Sequence, residues 1–249
     1  MQFSTMNESH LHKTLKLLYS QQTESQTEVE KNGYIYDIFS PEEGIIEIQT
    51  KNLAKLLPKI IDALERGIKI KLVHPVPVER KILLSDSEGK KISYRKSPKK
   101  ENIYSIFREL TGIYPVLLNP NFTLEVLEVK ITEERVRTTE PVQSKNGRRR
   151  FRRNWLKTGK KLDEILETKQ FRTTNDYLTL LPPTLPEEFS AKTLAEELKT
   201  QKLVQPGAAS NNAHLMIWVF NKMELIECVG TKNRSRIYRN KIAKTSTKD

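Results

Sequence analysis

Helical and strand-like hydrophobic patterns alternate along the N-terminal part of the chain. Leu11, Leu15 and Leu18 recur at the three- and four-residue spacing of an amphipathic helix, and poor helix formers follow them. Three runs rich in β-branched and aromatic residues come next, and the turn between the first and the second run is the strong hairpin signal Asn32-Gly33. The runs, residues 27–30, 34–39 and 45–50, predict three consecutive strands in a meander.

A second helical pattern and a fourth strand complete this unit. Apolar residues trace one helical face over residues 52–66, and Gly67 is a typical C-terminal stop. Residues 69–73 then form an apolar run that we expect His74-Pro75 to end. A strand, a helix and another strand in this order usually pair in parallel through a right-handed crossover. The N-terminal part is therefore predicted to be an α/β domain with a mixed sheet.

The pattern is weaker in the middle of the chain. Three additions to the first domain are expected: a charged, mobile stretch at residues 85–100, an amphipathic helix at 103–110 and a strand at 123–131. The first domain then spans residues 1–140. A basic segment follows, and the spacing of Leu162, Ile165 and Leu166 indicates a helix after it. Residues 141–180 are therefore predicted to be a basic linker and helix.

Two helical patterns and two strand patterns fill residues 181–249. Ser190 is a typical N-cap for the first helix, and a longer apolar helix follows Gly207. Two short strands come next, and the turn between them carries Lys232 and Arg234. Helix, helix and a hairpin with a basic tip is the order of a winged helix, so we predict such a domain here, with a basic tail.

The net charge is concentrated at the C-terminal end. The chain has 249 residues and a formal net charge of +12. Residues 1–140 carry 21 basic and 20 acidic side chains, whereas residues 141–249 carry 22 and 11. This asymmetry is expected when one part of a chain binds a polyanion such as DNA. The alternative is a solubilising surface with a disordered basic tail.

Composition argues against several classes of protein. No run approaches the roughly 20 apolar residues that cross a bilayer, and residues 1–10 lack the pattern of a secretory signal, so we expect a cytoplasmic protein with no membrane partner. The single cysteine, Cys228, is expected to be a buried thiol. The nine glycines form no phosphate-binding loop, so no nucleotide cofactor is expected, and the four histidines show no metal-ligand spacing.

Acidic residues occur in strands that are otherwise almost wholly apolar. Side chains alternate along a strand, so Asp37 on the second strand and Glu47 with Gln49 on the third can converge if the two strands pair. Glu8 lies near the apolar stripe of the first helix. Buried carboxylates are paired with cations or bound to a metal, and Mg²⁺ prefers one or two carboxylates. The alternatives are solvation at a strand edge or a salt bridge with Lys71, and for Glu8 an interaction with the helix dipole.

These acids and the order of elements around them resemble the PD-(D/E)XK nuclease superfamily. The resemblance covers roughly residues 7–75 and rests on an acid in the first helix, an Asp on the second strand and Glu47-Ile48-Gln49 on the third, followed by helix and strand. It implies an αβββαβ, restriction-endonuclease-like core. The wider chain, with Leu72-Val73-His74-Pro75 and the C-terminal winged helix, is also similar to a group of uncharacterised bacterial proteins.

The resemblance implies roles for individual residues. Asp37 and Glu47 resemble the metal-binding carboxylates, Glu8 resembles the helix-borne acid, and Mg²⁺ or Mn²⁺ is the implied cofactor for hydrolysis of a phosphodiester. Gln49 stands where the family usually has a lysine, and Tyr36 where the motif has a proline. The missing positive charge would then come from Lys51 or from Lys71. His74 is a further candidate to lie beside the site.

Nucleic-acid contacts are expected from two other regions. A winged helix places the first turns of its second helix in the major groove and its hairpin on the phosphates. The arginines of the basic segment, interrupted by Phe151 and Trp155, are expected to follow a phosphate backbone. The candidate residues are Arg148, Arg149, Arg150, Arg152, Arg153, Ser210, Asn211, Asn212, His214, Lys232, Arg234 and Arg236. Trp218 is expected to be a core residue.

The leading hypothesis from the sequence is a metal-dependent DNA endonuclease that a winged helix directs to its target. The first alternative is a non-catalytic DNA-binding regulator with a degenerate nuclease domain, which Gln49 and Tyr36 favour. The second alternative is a module in which the winged helix contacts another protein. The sequence leaves open whether the target is DNA or RNA and whether the protein acts as a homodimer.

Overall fold

A helix and a three-stranded meander open the fold, as the sequence predicts. The computed structural model describes residues 9–21, 24–144, 147 and 149–241. Helix α1 is His10–Ser20, and strands β1, β2 and β3 are Gln26–Lys31, Tyr34–Ser40 and Gly44–Ile48. The turn between β1 and β2 has positive φ at Asn32 and Gly33, the backbone that a two-residue hairpin requires. The strands pair antiparallel in sequence.

A crossover helix then leads to a long parallel strand. A 3-10 turn at Leu53–Leu56 continues into α2, Leu57–Glu65, and β4 follows at Ile70–Ser85. Strand β4 is parallel to β3, which confirms the mixed sheet. His74-Pro75 does not end β4, contrary to the prediction. The pairing of β4 with β3 stops at Val73, and its pairing with β5 starts at Lys81. Between these two residues β4 is paired only with β6. Proline is tolerated there because one side of the strand has no partner strand.

Two long strands extend the sheet on the other side of β4. Strand β6 is Phe122–Val142, parallel to β4, and β7 is Arg153–Phe171, antiparallel to β6. The helix predicted around Leu162 is therefore wrong, because this segment is an edge strand. Residues 85–100, expected to be a charged, mobile stretch, contain a turn and β5, Lys91–Lys96, which pairs with β4. The strand order is β1-β2-β3-β4-β6-β7.

The two faces of this sheet carry separate hydrophobic clusters. Helix α1 packs through Leu11 and Leu15 on one face, together with Ile46 of β3. Helix α2 packs through Ile60 on the other face, together with Ile45. The short helix α3, Phe107–Leu110, joins the α2 side. Adjacent residues of one strand point to opposite faces, so α1 and α2 cover opposite sides of the sheet.

Three helices and a small second sheet form the C-terminal part. Helix α4 is Thr174–Leu178, β8 is Glu188–Phe189, α5 is Ala191–Thr200, α6 is Ala209–Lys222, β9 is Ile226–Lys232 and β10 is Ser235–Asn240. The strands form an antiparallel sheet in the order β8-β10-β9. As the sequence predicts, Ser190 caps α5 through a hydrogen bond from the Thr193 amide. Two helices are thus followed by a hairpin.

The C-terminal part packs on the N-terminal sheet through aromatic side chains. Phe220 of α6 meets Phe107 of α3 edge to face, with 5.2 Å between ring centroids, and both are fully buried. Trp218 packs in the same way on Tyr114, but it is 41% exposed and so is not the core residue expected. Cys228 is also exposed, because β9 projects beyond the core after its first residues.

The part of the chain that the structure describes has no helix with both the length and the apolar character that a membrane span requires.

Candidate functional site

Two carboxylates occupy the place where β2 and β3 stop pairing. The backbone register runs from Ser40 opposite Gly44 to Ile38 opposite Ile46. Beyond it, the Asp37 amide donates to Oε1 of Glu47 at 3.1 Å, and the Ile48 amide donates to Oδ2 of Asp37 at 2.9 Å. Each carboxylate therefore accepts a backbone hydrogen bond from the neighbouring strand. The sequence correctly predicts that these two residues lie close together.

Two side chains of α1 contact Asp37. Its Oδ2 lies 3.2 Å from Nε2 of His12, and its Oδ1 lies 3.8 Å from Nζ of Lys16. Burial opposes ionisation of this carboxyl group, but the hydrogen bonds from His12 and from the Ile48 amide, with the charge of Lys16, hold its pKa below the usual range. Asp37 is thus an anion within an ion-pair network on the α1 side.

Glu47 has its cationic partner on α2. Nζ of Lys59 lies 2.5 Å from Oε1 of Glu47, donates to the Ile35 carbonyl and sits 4.5 Å from the centroid of the Tyr36 ring. The Glu47 side chain is 4% exposed. Burial and the nearby charge of Asp37 raise the pKa of Glu47 to about 7, although Lys59 acts in the opposite direction. A half-buried lysine of α2 is therefore the counterion of this acid.

This arrangement does not fit a Mg²⁺ site. The side chains that bind Asp37 come from α1 and the lysine that binds Glu47 comes from α2, on opposite faces of the sheet. Among the described residues, no three His, Cys, Asp or Glu side chains are grouped so as to hold a metal ion. Magnesium requires free carboxylate oxygens within one octahedral shell. Glu8, the third acid of the hypothesis, lies outside the described residues.

The other residues predicted for this site have different partners. Lys71 binds Glu43 at 2.6 Å, and Lys51 is exposed in the loop after β3. The carbonyl of Gln49 lies 2.6 Å from Nδ1 of His74, which is buried and whose pKa is lowered by that burial. The cation that forms a salt bridge with Glu47 is therefore Lys59 and not Lys71. The sequence contains one indication that Lys59 faces the sheet. It lies three residues after Leu56, at the border of the apolar stripe of α2.

A second arrangement brings predicted residues of α6 and of the β9–β10 hairpin to one groove. Ser210 and His214 from the first turns of α6 line it together with Arg234 and Arg236 of the hairpin, and its volume is about 680 Å³. Asn211 and Lys232 are exposed but lie outside the lining. Asn212 is turned back to its own helix, where its amide donates to the Ala208 carbonyl.

The hairpin that joins β9 and β10 holds its arginine in an uncommon backbone conformation. Asn233 and Arg234, the two central residues of the turn, have φ values of 49° and 63°. A two-residue hairpin turn requires positive φ at both positions, and asparagine and glycine are its usual residues. An arginine in this conformation costs about 1 kcal/mol. The sequence thus places a cation at the tip of the hairpin although glycine would suit the backbone better.

The arginine-rich segment connects the ends of β6 and β7. The guanidinium of Arg149 lies 4.0 Å from the centroid of Trp155, and that of Arg135 lies 3.7 Å from it. Arg149 also donates to two backbone carbonyls of the strands, so it closes the end of the hairpin. Three of the predicted arginines are exposed: Arg150, Arg152 and Arg153. Arg148 lies outside the described residues.

Comparisons with known proteins match a family model to the region that contains the large sheet. A family model described as a domain of unknown function (DUF8091) matches residues 9–172, which end just after β7. An uncharacterised protein of Treponema pallidum (strain Nichols) is 30% identical over 196 residues, covering 79% of this chain and 74% of that protein. No solved structure matches the chain.

Proposed function

The chain belongs to the DUF8091 family, and we propose that it is a DNA-binding protein whose C-terminal part acts as a winged helix. In this proposal the N-terminal sheet has a restriction-endonuclease-like arrangement, αβββαβ, with the strands in consecutive order. Its acids stabilise the fold as ion pairs. The protein is then the non-catalytic alternative that Gln49 and Tyr36 favour, and it requires no metal ion to bind DNA.

One observation carries this proposal: the first turns of α6 and the basic side of the hairpin open on the same groove. Ser210 and His214 offer hydrogen-bonding groups at the start of the helix, and Arg234 and Arg236 offer two guanidinium groups a short distance away. A recognition helix uses its N-terminal residues to contact base edges, while cations beside it bind phosphates and set its position. The groove is thus suited to a helix in the major groove and a hairpin on the backbone.

The exposed arginines between β6 and β7 add a second cationic surface. Arg150, Arg152 and Arg153 are free of acidic partners among the described residues. Cations of this kind release counterions from DNA when they bind phosphates, so the affinity falls as salt rises. We propose that they lengthen the contact with the DNA backbone and do not read its sequence.

We expect the double change Arg234→Gly and Arg236→Ala to weaken binding to duplex DNA roughly tenfold and to reduce the slope of log K against log salt by about 2. Glycine relieves the positive φ at residue 234, so the free energy of unfolding should not fall. Fluorescence anisotropy with a labelled duplex over a range of salt concentrations measures both quantities.

The matched control is Arg108→Ala, because Arg108 is exposed on α3, away from the groove. It should leave the affinity and the slope unchanged. An unchanged affinity in the double variant would instead favour the interpretation in which this hairpin contacts another protein.

A metal-dependent nuclease is the second candidate function. Asp37 and Glu47 lie at the same gap between β2 and β3, but protein donors bind both acids and Lys59 pairs with Glu47, so a metal ion would have to displace these contacts. Our leading proposal predicts no DNA cleavage by the purified protein with Mg²⁺ or Mn²⁺. Cleavage that is lost in Asp37→Asn, with DNA affinity retained, would overturn it in favour of the nuclease.

A further inference from the structure

A groove whose lining has more cations than acids lies on the large sheet, where β4, β6 and β7 meet the segment after β5. Its volume is about 400 Å³, and it is formed by the middle of β4, the segment after β5, and facing parts of β6 and β7. The cationic side chains that line it are Arg80, Lys81, Lys96, Lys99, Lys100 and Lys130. Two acids, Glu79 and Asp163, also line it. The groove is separate from the α6 groove and lies within the region matched by the family model.

The two acids of the lining have partners within the protein, and six cations outnumber them. Glu79 lies 4.0 Å from Lys130, and Asp163 accepts a hydrogen bond from the Thr132 hydroxyl. Glu101, just beyond the lining, is shared by Lys99 and Arg80. One carboxylate thus serves two cations at this position.

Arg80 lies at the inner end of the groove with an incomplete set of hydrogen bonds. Its side chain is 12% exposed, and its guanidinium is 3.6 Å from Glu101, a distance too long for a good hydrogen bond. Within the described chain, its Nε is buried and has no hydrogen-bond partner. A buried donor without a partner is destabilising by about 1–3 kcal/mol, so Arg80 has hydrogen-bonding capacity that the described chain leaves unused.

Another lysine, Lys160 of β7, interacts electrostatically with Arg80. Burial, with the neighbouring charges of Lys157 and Arg80, lowers the pKa of Lys160 to about 8. Lys157 and Arg135 occupy both oxygens of Glu133, the acid on the paired strand, each at 2.6 Å. The positive charges of Lys160, Lys157 and Arg80 therefore lie close together in a partly buried region.

We propose that this groove binds the phosphate group of a small phosphorylated molecule, with Arg80 as the inner ligand and Lys96 and Lys100 at the mouth. A guanidinium fork matches the geometry of phosphate oxygens, and lysines add charge around it. The volume lies within the range of pockets that hold small molecules. Among the described residues, Lys96 and Lys100 have no acidic partner, so both are available for an anion. The inference is independent of the proposed DNA binding.

Isothermal titration calorimetry of the full-length protein with inorganic pyrophosphate tests this proposal, with ionic strength held constant by sodium chloride. We expect saturable binding that Lys96→Gln with Lys100→Gln weakens at least tenfold. Both lysines are exposed, so the fold should tolerate these changes. The matched control, Lys55→Gln, should bind like the wild type because Lys55 is exposed and does not line the groove.

Three results would overturn the proposal: no heat beyond that of a chloride titration, equal binding by the Lys96 and Lys100 variant, or displacement of pyrophosphate by duplex DNA at matched ionic strength. The last would assign the groove to a nucleic-acid backbone. Loss of DNA binding in the hairpin variant leaves pyrophosphate binding unaffected, so the two proposals fail separately.

Discussion

Replacing Lys59 with methionine is expected to lower the free energy of unfolding by about 3 kcal/mol at pH 8, because it leaves Glu47 buried without a counterion. Methionine keeps most of the side-chain volume, so the loss reports mainly the charge. Urea unfolding followed by circular dichroism measures it. The matched control is Lys55→Met, an exposed lysine in the preceding 3-10 turn, which should change stability by less than about 0.5 kcal/mol.

The pH dependence gives this prediction a second test. The pKa of Glu47 is raised to about 7 in the folded protein, against about 4.3 in an unfolded chain, so the folded state binds a proton more tightly. Stability from this group is therefore present at low pH and is lost as the pH rises through about 7. The difference between wild type and Lys59→Met should shrink at pH 5.5, where Glu47 is protonated.

A double variant separates an ion pair from two independent effects. Glu47→Gln with Lys59→Met removes both charges and should recover much of the stability that Lys59→Met loses, since replacing both partners of a buried pair is often close to neutral. If Lys59→Met is as stable as the wild type at pH 8, Glu47 is not held as a buried anion by Lys59. The acids would then be available for another ligand, and the nuclease would become the stronger candidate.

The N-terminal meander could be predicted because each strand obeys local rules. Asn32-Gly33 fixes one turn through its backbone, and the run from Ile45 to Ile48, apolar except for Glu47, is buried in the sheet. Helix α2 likewise follows from its apolar face and from Gly67, whose φ is 72°. These elements are determined by residues close together in sequence, and the hydrophobic pattern of the chain records such residues.

The sequence predicts β6 only over residues 123–131 and misses β7, because the pattern of these long strands is irregular for a physical reason. Register shifts interrupt the pairing of β6 with β7 at several places, including Glu128/Val129 and Lys130/Ile131. Each bulge inserts a residue and changes which face the following side chains occupy. Most of β7 between Lys161 and Thr168 is also exposed on both faces. Alternation is therefore lost, and Leu162, Ile165 and Leu166 are left at a spacing typical of a helix.

The candidate site was predictable in its position but not in its chemistry. Strand pairing brings Asp37 and Glu47 together, which the sequence indicates. Which cations reach them depends on the packing of α1 and α2 on opposite faces, and no local pattern specifies this. The same holds for Arg80, whose neighbours Glu101 and Lys160 are distant in sequence.

A change at Phe220 tests whether the two parts of the chain unfold together. This side chain is fully buried against Phe107, and one hydrophobic cluster includes α2, α3, α5 and α6. A prediction of residues 1–140 and 181–249 as independent domains implies that a change in α6 destabilises only the C-terminal part. A shared core implies that it destabilises the whole protein.

We expect Phe220→Ala to lower the free energy of unfolding by about 3–5 kcal/mol and to do so for both parts of the chain together. The two tryptophans report separately, since Trp155 lies in β7 and Trp218 in α6. Single-tryptophan proteins made with Trp155→Phe or Trp218→Phe should therefore unfold in urea at one common midpoint, and Phe220→Ala should shift both midpoints equally.

The matched control for this experiment is Phe151→Ala, the same change at a side chain that is 58% exposed, which should shift the midpoints little. A shift confined to the Trp218 signal would show that the C-terminal part folds by itself. In that case the contact between Phe107 and Phe220 would resemble an interface between domains, and relative motion of the two parts would be the expectation. Equal shifts would instead mean that the α6 groove is held on the sheet by a common core, so that DNA bound there would also stabilise the N-terminal sheet.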